Sequence, residues 1–173
     1  MSIGKAGDFV AIDFETADYE PDSACSIAIV RVCDDDIIDK THFFIRPPRR
    51  RFVFTDLHGI AWEHVANQPT FGELWPHLAE KLSNVEFIAA HNESFDRSVL
   101  MACCQSARVT PPKVKFECTV QLARRVWNIY PTKLPDVCAY LGIPLQHHNA
   151  ASDAEACARI VIAARRKGAS IGR

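Results

Sequence analysis

No stretch of this chain is long and apolar enough to cross a bilayer. Its opening residues, MSIGKAGDFV, hold no apolar segment of the kind a secretory leader needs. Neither sign of charge dominates: 20 Lys and Arg stand against 21 Asp and Glu, a net charge of -1. That balance neither demands nor excludes nucleic acid, so any phosphate binding has to come from local charge or bound metal. The seven cysteines (Cys25, Cys33, Cys103, Cys104, Cys118, Cys138 and Cys157) contain no C-x-x-C pair, and their number is odd. This argues against a zinc site or a disulfide framework, and for reduced, mostly buried thiols. Internal repeats, low-complexity segments and linkers are missing as well. What is there is 173 residues, 48% hydrophobic and 24% charged. The expectation is one domain over 1–173 with its core at about 8–167, cytoplasmic and with no membrane partner.

Strand-like runs at 9–15, 26–33 and 40–45, joined by short polar connections, suggest an antiparallel meander. Asp34, Asp35 and Asp36 read as a solvated hairpin tip. The run Arg46-Pro47-Pro48-Arg49-Arg50-Arg51 reads as a stiff basic loop, solvated or touching phosphates. Residues 71–83 carry Leu74, Leu78 and Leu82 at helical spacing, with Pro76 starting or bending the helix. A short buried strand is expected at 87–90 and a helix at roughly 93–106 capped by Asn92. Two more helices are expected at 120–127 and 134–141, the latter ended by Gly142 and Pro144. A last helix to about Lys167 opens on a capping box, with Ser152 as N-cap and Glu155 at N3. The sum is a mixed α/β fold.

The chemistry-bearing residues are acids in unfavourable places. In the run DFVAIDFE, alternation puts Asp13 and Glu15 on one face at a strand end, beside an apolar core. Like charges that close raise each other's pKa unless something positive lies between them, and a hard divalent cation suits that place. Asp96 continues the apolar stripe Val99, Leu100 and Cys103; Asp153 continues the stripe Cys157, Ile160, Val161 and Ala164. Each acid projects from a helix start on its core side, where a charge needs a partner. One shared metal centre would satisfy all four, and four carboxylates carry enough charge for two divalent ions. His148, in the loop before Asp153, is suited to general-base work.

At these residues the chain resembles the DEDDh 3′–5′ exonucleases, a group that includes the proofreading subunit of bacterial DNA polymerase III, ribonuclease T and oligoribonuclease. Asp13-Phe14-Glu15 with Thr16 is similar to the first motif of that group, His91-Asn92-Glu93-Ser94-Phe95-Asp96 to the second, and His148-Asn149-Ala150-Ala151-Ser152-Asp153 to the third. Leu57-His58-Gly59-Ile60 and Cys118-Thr119 resemble its supporting segments. The resemblance covers nearly the whole chain, in order. It implies an RNase H-like fold, a mixed five-stranded sheet flanked by helices. It implies two Mg²⁺ or Mn²⁺ ions on Asp13, Glu15, Asp96 and Asp153, with His148 as base and His147 the lesser candidate. It sets Phe14, Thr16, His58, Asn92 and Phe95 near the terminal nucleotide. The expected activity is metal-dependent removal of nucleoside 5′-monophosphates from single-stranded 3′ ends, with DNA ahead of RNA. An exoribonuclease and a non-catalytic binding module on the same scaffold are the alternatives. A polymerase or repair chain is the expected protein partner. Two departures stand out: Ala17 and Asp18 follow Thr16 where the group often has Gly, and Glu93 adds a negative charge near a phosphate site.

Overall fold

Alternation in the first strand separates two cores. In the computed structural model, which describes residues 7–172, β1 (Phe9–Thr16) sends Val10, Ile12 and Phe14 into one layer and Phe9 and Ala11 into the other. Residues 1–6, the start of the segment read above for a secretory leader, lie outside the described residues. β2 (Ala24–Cys33) and β3 (Asp36–Phe44) extend β1 as an antiparallel meander. β4 (Phe87–Ala90) and β5 (Lys115–Cys118) add to its other side in parallel, giving the order β3-β2-β1-β4-β5.

Among the described residues, seven helices accompany this mixed sheet. α1 (Thr55–His58) and α2 (Trp62–Val65) are single turns; α3 (Phe71–Lys81) and α4 (Glu93–Ala107) close the Ile12 layer. α5 (Thr119–Trp127), α6 (Leu134–Leu141) and α7 (Ala150–Arg166) close the Ala11 layer. Side chains such as Ile12, Leu78, Leu100 and Ile160 lose all solvent contact, each contributing about 1.5–3 kcal/mol. Gly142 ends α6 with φ +67, in the left-handed region where a side chain is strained. No helix among the described residues is long and apolar enough to cross a membrane. Cys25, Cys103, Cys104, Cys138 and Cys157 are buried thiols.

Several local expectations need correction. β3 begins at Asp36, four residues before the expected start at Lys40, so only Asp34 and Asp35 make the turn, both at positive φ. Asp35 is not simply solvated: Arg165 pairs with it at 3.1 Å. Asn92 precedes α4 in a left-handed conformation (φ 63, ψ 57), with no side-chain cap bond. The N-cap of α7 is Asn149, whose side chain accepts from the Ser152 N–H at 3.1 Å. Ser152 lies inside the first turn and its hydroxyl accepts from the Gln146 N–H, while Glu155 reaches Lys40 and Arg159. Ser and Asn are both good caps, so pattern alone cannot choose between starts three residues apart. Pro76 sits inside α3, whose true start is the Thr70–Glu73 capping box.

Candidate active site

β1 and β4 run parallel, so both end at the same edge of the sheet, where α4 also begins. Asp13 and Glu15 lie near the end of β1, opposite Ala28 and Ser26 of β2, and a register shift after Glu15 breaks the ladder there. Asp96, in the first turn of α4, is 2% exposed; its Oδ1 accepts the Phe14 N–H at 2.9 Å, which ties α4 to the end of β1. Asp153, in the first turn of α7, is 4% exposed. The fold thus brings all four acids to one place. Burial first, then Asp96, Glu15 and Asp153, push the Asp13 carboxyl well above its ordinary range. Burial, then Asp153, pushes Glu15 up to about 7. Burial raises Asp96 against the pull of the Phe14 N–H, and raises Asp153 against the pull of His147.

The loop before α7 supplies two histidines to the same carboxylate. His147 Nδ1 lies 2.9 Å from Asp153 Oδ2, and the His148 N–H donates to that oxygen at 3.2 Å. The two rings stack at 3.8 Å, with His148 at φ 65. Asp153 Oδ1 is buried and has no hydrogen-bond partner. An orphaned carboxylate oxygen among acids that repel one another is the chemistry that a divalent cation satisfies. Yet no three His, Cys, Asp or Glu side chains among the described residues already surround one ion position. One oxygen of each helix-borne acid is engaged: Asp96 Oδ1 with the Phe14 N–H, and Asp153 Oδ2 with His147 and the His148 N–H. The donor set fits a metal once His147 gives up its oxygen.

Comparison with known proteins decides the family. The RNase T exonuclease model matches residues 10–161. The chain belongs to the RNase T exonuclease family. It is 31% identical over 162 residues to exodeoxyribonuclease 10 of Escherichia coli K12, covering 87% of this chain and 66% of that one. It is 30% identical over 160 residues to the PolC-type DNA polymerase III of Thermotoga petrophila, covering 89% of this chain; it spans 12% of that polymerase. Among solved structures, exonuclease X bound to 5′-overhanging duplex DNA superposes with a TM-score of 0.77 at 26% identity, over 94% of both chains. The nuclease domain of 3′hExo, a DEDDh protein bound to rAMP, shares the fold at 20% identity and a TM-score of 0.78, over 95% of both chains. The fold is accordingly RNase H-like, and the matched region is that of an exonuclease. Exonucleases of this kind generally work with divalent metal ions.

Against that family frame, the residues expected near the nucleotide divide. The Phe14 ring is 3% exposed inside the Ile12 layer, so it cannot stack on a base; what it offers the site is its N–H. Thr16 is 7% exposed, and its carbonyl accepts from His58 Nε2 at 3.0 Å. The Ile60 N–H donates to His58 Nδ1, so the proton sits on Nε2 and the ring is fixed as a neutral donor. Burial, and repulsion from His148, hold His58 below its ordinary pKa. Asn92 is exposed, and Phe95 is 44% exposed. Sequence reasoning missed Tyr19, 74% exposed just beyond Thr16 and set edge-on to Phe54 at 5.0 Å. It also assigned no role to His91, whose two ring nitrogens meet Thr119 and Thr132, and which burial holds down to about 4. A lone aromatic in a loop carries no periodicity, so no sequence signal marked Tyr19.

Proposed function

We propose that this chain is one exonuclease domain that removes nucleoside 5′-monophosphates from the 3′ ends of single-stranded DNA, with two Mg²⁺ or Mn²⁺ ions held by Asp13, Glu15, Asp96 and Asp153. The observation that carries the reading is the cluster of four mutually repelling acids at one sheet end, Asp96 and Asp153 buried and Asp13 and Glu15 half-buried, with Asp153 Oδ1 left without a partner. Two divalent ions bound there would stabilise charge on the attacking and leaving oxygens of the phosphodiester. The chain's own groups do the rest. The Phe14 N–H holds the Asp96 carboxylate in place. His148, kept below its ordinary pKa by burial and by His147, is neutral near pH 7 and takes the proton of the attacking water. Thr16, His58 and Asn92 line the place of the last nucleotide. Exposed Phe95 and Tyr19 offer faces on which bases stack with little sequence preference.

DNA is favoured over RNA because exodeoxyribonuclease 10 is a relative at 31% identity and the structural neighbour at 26% identity holds overhanging duplex DNA. A polymerase or repair chain as partner rests on the PolC-type relatives. The test is digestion of matched 5′-labelled DNA and RNA oligomers with Mg²⁺, Mn²⁺ or EDTA. A descending ladder on DNA, slowed by a blocked 3′ end and abolished by EDTA, is expected. Faster RNA cleavage would transfer the enzyme to the exoribonucleases, and binding without cleavage would make it a binding module. Release of the labelled 5′ mononucleotide first would reverse the polarity.

A further inference from the structure

The segment between α5 and α6 is fastened to the acidic site and yet displays a largely exposed ring. His91, at the end of β4 and five residues before Asp96, donates from Nε2 to the Thr132 carbonyl at 3.0 Å. Its Nδ1 meets the Thr119 hydroxyl, at the start of α5, at 2.8 Å. Arg124 Nε donates to Thr132 Oγ1 at 2.9 Å, and that hydroxyl donates to the Ile129 carbonyl at 2.8 Å. The loop is therefore held from both sides, with Thr132 buried at its centre. Tyr130 nevertheless projects outward, 65% exposed, with the Arg124 guanidinium 5.2 Å from its ring centroid. Lys133, three residues after Tyr130, is exposed. Asp136, three residues further on, accepts from the Lys133 N–H at 3.0 Å at the start of α6.

An ordinary structural tyrosine covers its ring against apolar neighbours. Here the loop's order comes from Thr132, His91 and Arg124, and the ring, met by Arg124, stays 65% exposed. An exposed ring with one cation over it and a second, Lys133, three residues on in the same fixed loop suits a nucleic-acid strand, since bases stack on rings and phosphates seek Arg and Lys. We infer that Tyr130, Arg124 and Lys133 form an outer grip for the strand beyond its terminal nucleotide, with His91 as the positioning residue that fixes the grip relative to the catalytic end. This rests on the exonuclease reading and adds to it a length-dependent contact.

The experiment measures KM and kcat of the full chain on single-stranded substrates of two lengths: a dinucleotide, which reports the catalytic site, and an oligomer of about ten nucleotides, which reaches the grip. Tyr130→Ala is expected to raise KM for the longer substrate by about five-fold or more, the scale of one lost base stack. Its KM for the dinucleotide should move far less, and Tyr130→Phe should restore the wild-type ratio. Lys133→Gln should lower the salt dependence of binding to the longer strand by about 0.7 in log–log slope, one phosphate contact on a single strand. Arg124→Gln also loosens Thr132, so the Tyr130 pair of variants decides. Equal KM values for Tyr130→Ala and wild type on the longer strand would overturn the grip. So would an equal loss on both substrates, because that marks a merely structural role. If the wild type cleaves neither substrate, the exonuclease reading falls and this inference with it.

Discussion

His147 and His148 show how one residue's difference in position sets a role. Both rings stand at Asp153, but His147 already spends Nδ1 on its carboxylate, whereas His148 contributes only its backbone N–H and keeps its ring for other work. His148→Ala is expected to lose ~10²–10⁴-fold in kcat. His147→Ala should be much milder, since it frees an Asp153 oxygen. A pH–rate profile checks this: the acid limb, set by a His148 pKa below the ordinary 6.5, should vanish only in His148→Ala. Equal activity of wild type and His148→Ala across the range would remove the residue from the mechanism. Glu93, the unusual acid of the second motif, is partly answered by Arg97, with Nε 3.6 Å from Oε2. That Oε2 is buried without a hydrogen bond. Glu93→Gln should lower KM for oligonucleotides by about two- to five-fold, the scale of one partly screened charge; a KM that rises would mean that Glu93 contributes to binding.

At the scale of elements, the basic loop at 46–51 turned out to be mostly a brace. Arg46 reaches the Ala66 carbonyl and lies 3.8 Å from Glu73, Arg50 lies over Trp62, and Arg49 pairs with Asp18 and Asp22; Arg51 is exposed. Asp18 is 2% exposed, so Arg49 holds the 17–23 loop, and Tyr19 with it, against this segment. Removing one partner strands a buried charge, but Arg49 itself is 39% exposed, so solvent shares the cost. Arg49→Ala should therefore destabilise by about 1–2 kcal/mol in urea unfolding at pH 7. The pKa of Asp22 is lowered chiefly by hydrogen bonding to Arg49, and that of Asp18 by the Glu20 N–H and Arg49 against the opposing push of burial. Their stabilisation is thus present above the ordinary value of 3.8 and lost as pH falls through the lowered ones. The gap between wild type and Arg49→Ala should close toward pH 2; a gap independent of pH would mean that the loss is one of side-chain contact and not of charge.

At the scale of the molecule, the acidic centre sets stability against catalysis. A carboxyl whose folded pKa is raised costs stability as pH climbs from its ordinary value, 4.5 for Glu15, through about 7. A cation that answers the charge should then stabilise more at pH 8 than at pH 5. Mn²⁺ is expected to raise Tm more at the higher pH, and Asp13→Ala should lose both this increment and nearly all activity. In EDTA at pH 8, Asp13→Ala should melt no lower than wild type; equal Tm increments at both pH values would count against the metal centre. Much of this design was legible in the chain. Alternation in DFVAIDFE exposed two acids on one face, and helical stripes exposed Asp96 and Asp153 on core sides, because period and burial are local properties of the sequence. The strand Phe87–Ala90 and the helix Leu134–Leu141 were readable at their observed bounds for the same reason. β5 and the single-turn helices α1 and α2 were not, since four residues hold barely one helical turn, the β5 run KFEC is not a continuous apolar stretch as FIAA of β4 is, and such short pieces form only where neighbours pair with them. Only the tertiary structure could decide that Phe14 turns its ring inward, that Arg49 points at Asp18, that Asn149 and not Ser152 starts α7, and that the ring of Tyr130 stays largely exposed. Each of these is settled by which distant residue wins a hydrogen bond, an ion pair or a place in the core, and no local pattern encodes that competition.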